Sequence, residues 1–214
     1  MNYSKTPAQI KSYYLQKAKA SFKAKFDLLL YHRIINGNYG EITTDILDMF
    51  QIEEHPDALD EYIHVYWQKE NIKEVITNGW TIERIYHEMR KWRDANKSNI
   101  DALLDHYVNT SYKKVFPEEQ FKKMVNDASE CDYCHITKEK INSLILKNKL
   151  YKKHITRGWS FEIDRKEANL EYTKDNCVPC CYWCNNAKTD EFGYTEFKKV
   201  GAIIESIWNE RLGR

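Results

Sequence analysis

Apolar residues recur at helical spacing near the start of the chain, at Ile10, Tyr14, Phe22, Phe26, Leu29 and Leu30, until Asn36-Gly37 interrupts them. That spacing places them on one stripe of a long helix. Thr6-Pro7 suits its start, because proline's missing N–H falls among the unbonded donors of a first turn. Shorter helices are predicted over 44–50 and 57–69. Thr81 is a good N-cap for a helix over 82–93, with Glu83 in its first turn. Helices are also predicted over 99–108 and 117–127. A closing helix over 195–212 carries Phe197, Val200, Ile203, Ile204 and Ile207 along one predicted face. One stretch has a different period. Phe161-Glu162-Ile163-Asp164 alternates apolar and acidic residues after the turn candidate Arg157-Gly158, which predicts a strand. Asn176-Cys177-Val178-Pro179-Cys180 reads as the returning strand. The polar loop 166–175 between them is longer than a tight hairpin needs, and such loops are often functional. From Trp183 through Asn185, Asn186, Ala187 and Lys188 the pattern returns to helix.

A chain of 214 residues with 42% hydrophobic and 14% aromatic content can bury a core, as one extended domain or two small ones. The expected division is a helical region over 1–115 and a second domain over 116–214. The aromatic residues, Tyr13, Tyr14, Tyr62, Tyr66 and Trp67 among them, more often mark core or subunit contact than base stacking. No apolar run is long enough to cross a bilayer, and Met1-Asn2-Tyr3-Ser4-Lys5 does not resemble a signal peptide. A cytoplasmic location, in a bacterial or phage-infected cell, is therefore expected. The net charge of +1 hides an asymmetry. Lys11, Lys17, Lys19, Lys23, Lys25 and Arg33 crowd the first helix, whereas 36–68 has no Lys or Arg and carries Glu41, Asp45, Asp48, Glu53, Glu54, Asp57, Asp60 and Glu61. That acidic block would be repelled by a nucleic-acid duplex, so it is expected to face solvent, another subunit or the basic helix. Arg84, Arg90, Lys91 and Arg93, with the basic first helix, are candidates for DNA recognition or for exposed faces of a supporting bundle.

Cysteine spacing changes the picture. Cys131-Asp-Tyr-Cys134 and Cys181-Tyr-Trp-Cys184 are Cys-x-x-Cys turns, each able to bring two sulfurs to one tetrahedral centre. Two such turns close a four-cysteine zinc site. Cys177-Val-Pro-Cys180 has the same spacing and is a competing second pair. Clustered Cys-x-x-Cys pairs without a secretory context favour metal over disulfides.

The stretch Phe161-Glu-Ile-Asp-Arg, the polar loop, then Asp175-Asn-Cys-Val-Pro-Cys-Cys-Tyr-Trp-Cys-Asn-Asn-Ala-Lys188, with the upstream pair Cys131 and Cys134, resembles the HNH (ββα-metal) nucleases. It resembles their Asp-Arg variant with a four-cysteine zinc site, as in phage and bacterial proteins, over roughly 131–190. The family's Cys-x-x-Cys-Asn favours Cys181 and Cys184 as the second zinc pair, since Asn185 follows directly. The implied fold class is α+β: a helical N-terminal region, a zinc-stabilised ββα-metal domain and a C-terminal helix. The resemblance implies that Asp164 and Asn185 bind a catalytic Mg²⁺ or Mn²⁺ ion, and that Asn176 orients the loop. The family's general-base histidine is replaced by Arg165, which cannot take a proton but can grip a phosphate oxygen in two places. His154 is the first candidate for the missing base and His135 the second.

Between the two halves of the zinc site lies a basic run, Lys147, Lys149, Lys152, Lys153 and Arg157, with no acidic residue from 140 to 161. Together with Lys166 it is a candidate phosphate-binding surface. The expected function is a metal-dependent DNA endonuclease, a phosphodiester hydrolase of restriction or phage-defence type. Homing or phage DNA processing is the alternative role. The rivals are a catalytically silent zinc-containing nucleic-acid-binding protein and a zinc element serving protein contacts. A double-strand cutter with one such site per chain would act as a homodimer.

Overall fold

The computed structural model describes residues 4–67, 75–77, 79–150, 158 and 160–213. Among the described residues helices dominate and two small antiparallel hairpins supply the strands, so the architecture is α+β. In chain order the elements begin with α1 (Pro7–Ile35), α2 (Thr44–Met49) and α3 (Pro56–Trp67). The hairpin β1 (Val75–Thr77) and β2 (Trp80–Thr81) leads into α4 (Ile82–Ala95) and α5 (Lys97–His106). A π-helical turn over Tyr107–Ser111 joins α5 to α6 (Tyr112–Val115), followed by α7 (Glu118–Asn126) and α8 (Lys138–Leu146). Then come β3 (Glu162–Arg165), β4 (Cys177–Cys180), α9 (Tyr182–Lys188) and α10 (Tyr194–Leu212). Among the described residues no helix is long and apolar enough to cross a membrane.

The chain forms two compact units. The first comprises Met1–Gln16, Val115–Ala168 and Tyr172–Arg214, and the second Lys17–Lys114 with Asn169–Glu171. The apolar stripe of α1 is buried at every predicted position, from Ile10 to Leu30. Thr81 caps α4 as expected, its hydroxyl accepting from Arg84 N.

In the second unit, Phe22 packs on Tyr107 and Phe26 on Trp92. Some basic residues of α1 are engaged within this unit, whereas Lys19 is exposed. Lys25 is buried and lies 3.9 Å from Glu171. Lys23 and, at 2.9 Å, Arg93 both pair with Asp27, whose carboxylate also accepts from Tyr62. Part of the acidic block is likewise engaged inside this unit. Asp48 accepts from Ser111 at 2.5 Å and lies 2.9 Å from His106 Nε2, and Glu61 accepts from Tyr31.

In the first unit, Tyr13 and Tyr14 meet the edge of Phe121. The Tyr14 hydroxyl donates to the Phe116 carbonyl at 2.6 Å, and the Tyr13 hydroxyl accepts from Ile163 N at 2.9 Å. The core gathers Tyr133, Ile141, Leu144, Phe161, Phe197 and Trp208 around the cysteines. The buried face of α10 agrees with the predicted one only in part: Phe197 is buried and Val200 and Ile204 pack against the core, but the other predicted members do not. The buried residues are Phe197, Gly201, Trp208 and Leu212, whereas Ile203 is 63% exposed and Ile207 40%. Gly201 sets this face, because a Cβ there would collide with the Tyr133 backbone carbonyl. Only glycine lets the helix come so close, and the periodicity of the isoleucines yields to that contact.

Candidate functional site

Four cysteines converge from two local structures. Glu130 and Thr137 bridge as a short antiparallel pair, and Cys131 N donates back to Ile136 O at 3.0 Å. Inside that hairpin, His135 N bonds Cys131 O at 3.0 Å, with His135 in the left-handed region at φ 49°. This tight turn aims Cys131 and Cys134 the same way. The second pair is set by a helix start: Cys181 is the N-cap of α9, its sulfur accepting from Cys184 N at 3.4 Å. The Asp132 N–H bonds the Pro179 carbonyl at 2.9 Å and so docks the first turn on β4. The ligand atoms of Cys131, Cys134, Cys181 and Cys184 all lie within 4.8 Å of one another, and all four residues are buried. Cys177 and Cys180, the competing pair, sit on β4 instead, with Cys180 Sγ 3.7 Å from the Glu162 carbonyl.

Four thiols so close cannot all ionise without a cation. Contacts from Cys134, Cys181 and Cys184 hold the Cys131 thiol far below its ordinary value. Sharing with Cys131 and Cys134 pushes Cys181 and Cys184 up. A metal cation would replace those retained protons, and the closed, buried sulfur set fits a metal ion.

β3 and β4 pair with Glu162 opposite Cys180, Asp164 opposite Val178 and Arg165 opposite Cys177. Strand alternation puts Glu162 and Asp164 on one face, and α9 lies against it. Helix residues three apart meet strand residues two apart. Asn185 Nδ2 donates to Glu162 Oε2 at 2.5 Å, and Lys188 Nζ lies 3.4 Å from Asp164 Oδ2. Lys188 is fully buried and also donates to the Arg165 carbonyl at 2.9 Å. The Tyr133 hydroxyl donates to the same Asp164 Oδ2 at 2.6 Å. Burial, then this bond, raises the Tyr133 pKa, so it remains a donor. Among the described residues Asp164 Oδ1 and Asn185 Oδ1 receive no hydrogen bond. Carboxylate and carboxamide oxygens are the ligand types that a hard divalent ion takes.

Arg165 lies over the Tyr172 ring at 4.6 Å and 3.5 Å from Asp190 Oδ1. Asn176 clasps the far side of the loop: its Oδ1 accepts from Glu167 N at 3.0 Å and its Nδ2 donates to Glu167 O at 3.1 Å. Other candidates lie apart from this group. His135 is half-exposed and 2.9 Å from Glu130 Oε1. Lys147 donates to Leu212 O at 3.3 Å, and the Lys149 carbonyl accepts from Arg211. Lys166 donates to Asp175 O at 2.8 Å. His154, Lys152, Lys153 and Arg157 lie outside the described residues, as do the side chains of Tyr66 and Trp67.

Three members of the cluster escaped the sequence reading: Glu162, Lys188 and Tyr133. The first two had a usable signal, because Glu162 is two before Asp164 on a strand and Lys188 three after Asn185 on a helix. Tyr133 had none, since its reach to Asp164 depends on where the first cysteine turn docks.

Comparison with protein-family models, curated proteins and solved structures returns no match.

Proposed function

We propose that this chain is a metal-dependent DNA endonuclease of the HNH type, with an Asp-Arg pair at the end of β3 and a structural zinc at the four cysteines. The observation that carries the reading is the pair of oxygens, Asp164 Oδ1 and Asn185 Oδ1, that receive no hydrogen bond among the described residues, on a strand–loop–strand–helix unit beside the four-cysteine cluster. Zinc fits the sulfur set because it is borderline-soft and takes four thiolates without further ligands. Asp164 and Asn185 would hold Mg²⁺ or Mn²⁺, which when bound would offset charge on a scissile phosphate and on the leaving oxygen.

The chain's own residues do the remaining work. Tyr133 and Lys188 hold the Asp164 carboxylate through Oδ2, and Oδ1 receives no hydrogen bond among the described residues. Arg165, braced on Tyr172, is paired with Asp190, whose side chain is 69% exposed. Exchanging that exposed carboxylate for a phosphate oxygen would swap one anion for another, with the planar guanidinium gripping two oxygens. Arginine has no lone pair to accept a proton, so the attacking water must give its proton to another group, for which His154 is the sequence candidate. Asn176 holds the loop between the strands in register.

A second reading is a catalytically silent zinc module that binds nucleic acid. It is favoured by Lys188, which already partly offsets the charge of Asp164. One experiment separates them. Zinc-loaded protein is incubated with plasmid DNA and Mg²⁺ or Mn²⁺, beside Asp164→Ala. Cleavage by the wild type alone, with equal zinc in both proteins, supports the nuclease. DNA retention without cleavage in either ion supports the silent module.

A further inference from the structure

We infer that Glu162 is a positioning residue that sets which end of the Asn185 carboxamide faces a divalent cation. The inference rests on the proposed ion site and adds a residue that the motif resemblance does not assign a role. An ionised carboxylate only accepts hydrogen bonds. The 2.5 Å contact between Asn185 Nδ2 and Glu162 Oε2 therefore fixes the NH₂ end of the carboxamide against the strand. The group is planar, so its carbonyl oxygen is turned away from Glu162, and among the described residues nothing donates to it. Flipping the amide would direct two N–H groups at the cation and two oxygens at one another.

Glu162 is well placed to impose this choice. It is 8% exposed and lies on β3 in register with Cys180. Asn185 is equally constrained, since its backbone N donates to Cys181 O at 3.0 Å in the first turn of α9. The two residues thus meet from elements fixed by the hairpin and by the thiolate cluster. Carboxylates that orient a metal's ligands commonly alter metal affinity about 10–100-fold when replaced.

The test uses full-length, zinc-loaded protein and Mn²⁺ binding followed by electron paramagnetic resonance, with DNA cleavage measured separately. Glu162→Gln keeps size and burial but offers both a donor and an acceptor, so the Asn185 amide can bind in either sense. Mn²⁺ affinity should fall about tenfold, with zinc content and melting temperature unchanged. Combining Glu162→Gln with Asn185→Asp gives position 185 two equivalent oxygens while the new amide donates to it. Orientation then no longer matters, and Mn²⁺ affinity should recover to the wild-type level or above. Unchanged Mn²⁺ affinity in Glu162→Gln, no recovery in the double variant, or no Mn²⁺ binding by the wild type would each overturn the inference. Wild type that binds Mn²⁺ with this dependence and leaves DNA uncut would uphold it while overturning the nuclease reading.

Discussion

Lys188 Nζ lies 3.4 Å from Asp164 Oδ2 and donates at 2.9 Å to the backbone carbonyl of Arg165. One ammonium, with its side chain 1% exposed, therefore ties the end of β3 to the last turn of α9. Replacing it by Lys188→Met keeps the apolar stem but strands a carboxylate and a carbonyl. Removing one partner of a buried ion pair costs about 3–5 kcal/mol. The expected loss is at the lower end, because Asp164 retains Tyr133. Urea unfolding of the variant checks this, and a change under about 0.5 kcal/mol, the range of ordinary surface substitutions, would show that the pair carries no weight.

The sulfur cluster makes an asymmetric prediction about cysteines. Cys131→Ser should abolish stoichiometric zinc and loosen the core that includes Tyr133, Phe161 and Phe197, since metal binding and folding are coupled at such sites. Cys177→Ala should retain one zinc per chain, because Cys177 lies on β4 and not in the cluster. Metal analysis beside near-ultraviolet circular dichroism measures both.

The clasp between Asn176 and the Glu167 backbone can be taken apart one bond at a time. Asn176→Asp keeps the acceptor for Glu167 N and loses the donor to Glu167 O, whereas Asn176→Ala loses both. Each hydrogen bond contributes about 0.5–1.5 kcal/mol. Hydrogen exchange at the Glu167 amide should accelerate modestly in the first variant and strongly in the second. Cleavage should fall in the same order.

Asp48 gives the stability of the second unit an acid limb. Burial alone would lift its carboxyl. Hydrogen bonds from Ser111 and His106, with the charges of His106 and Lys25, outweigh that and hold it below the ordinary value. A depressed carboxyl stabilises the fold fully above its unfolded pKa, about 3.9. The contribution is lost as pH falls through the lower folded value. Asp48→Asn should therefore flatten the decline of stability below about pH 4. Urea midpoints across pH would record this, and an unaltered acid limb would rule it out.

The elements legible in the sequence are those whose cause is local. The stripe of α1, the Thr81 cap and the strand β3 each depend on neighbours a few residues away, and each is found in place. The β1–β2 hairpin and the π-turn after α5 escaped prediction because their segments lack a clean period. α10 is a mixed case: Val200 and Ile204 of its stripe pack against the core, but with Gly201 set against the Tyr133 carbonyl Ile203 and Ile207 are left exposed. In the site, Asp164 and Asn185 were visible as residue types at motif spacing. Of their partners, Glu162 and Lys188 left only a spacing signal that went unused, and Tyr133 left none, because the pairings themselves exist only after α9 and the first cysteine turn pack against β3.

α1 belongs to two compact units, contributing residues up to Gln16 to one and from Lys17 to the other. Tyr13 receives the Ile163 N–H, so the strand that ends in Asp164 and Arg165 depends on a residue near the opposite end of the chain. The cysteine-bearing part is therefore not a portable cassette. A gene fragment encoding only its contiguous C-terminal stretch would leave Phe121 without the rings of Tyr13 and Tyr14. Recombination that transplanted this unit intact would have to carry its stretch before Lys17 together with the stretches after Lys114.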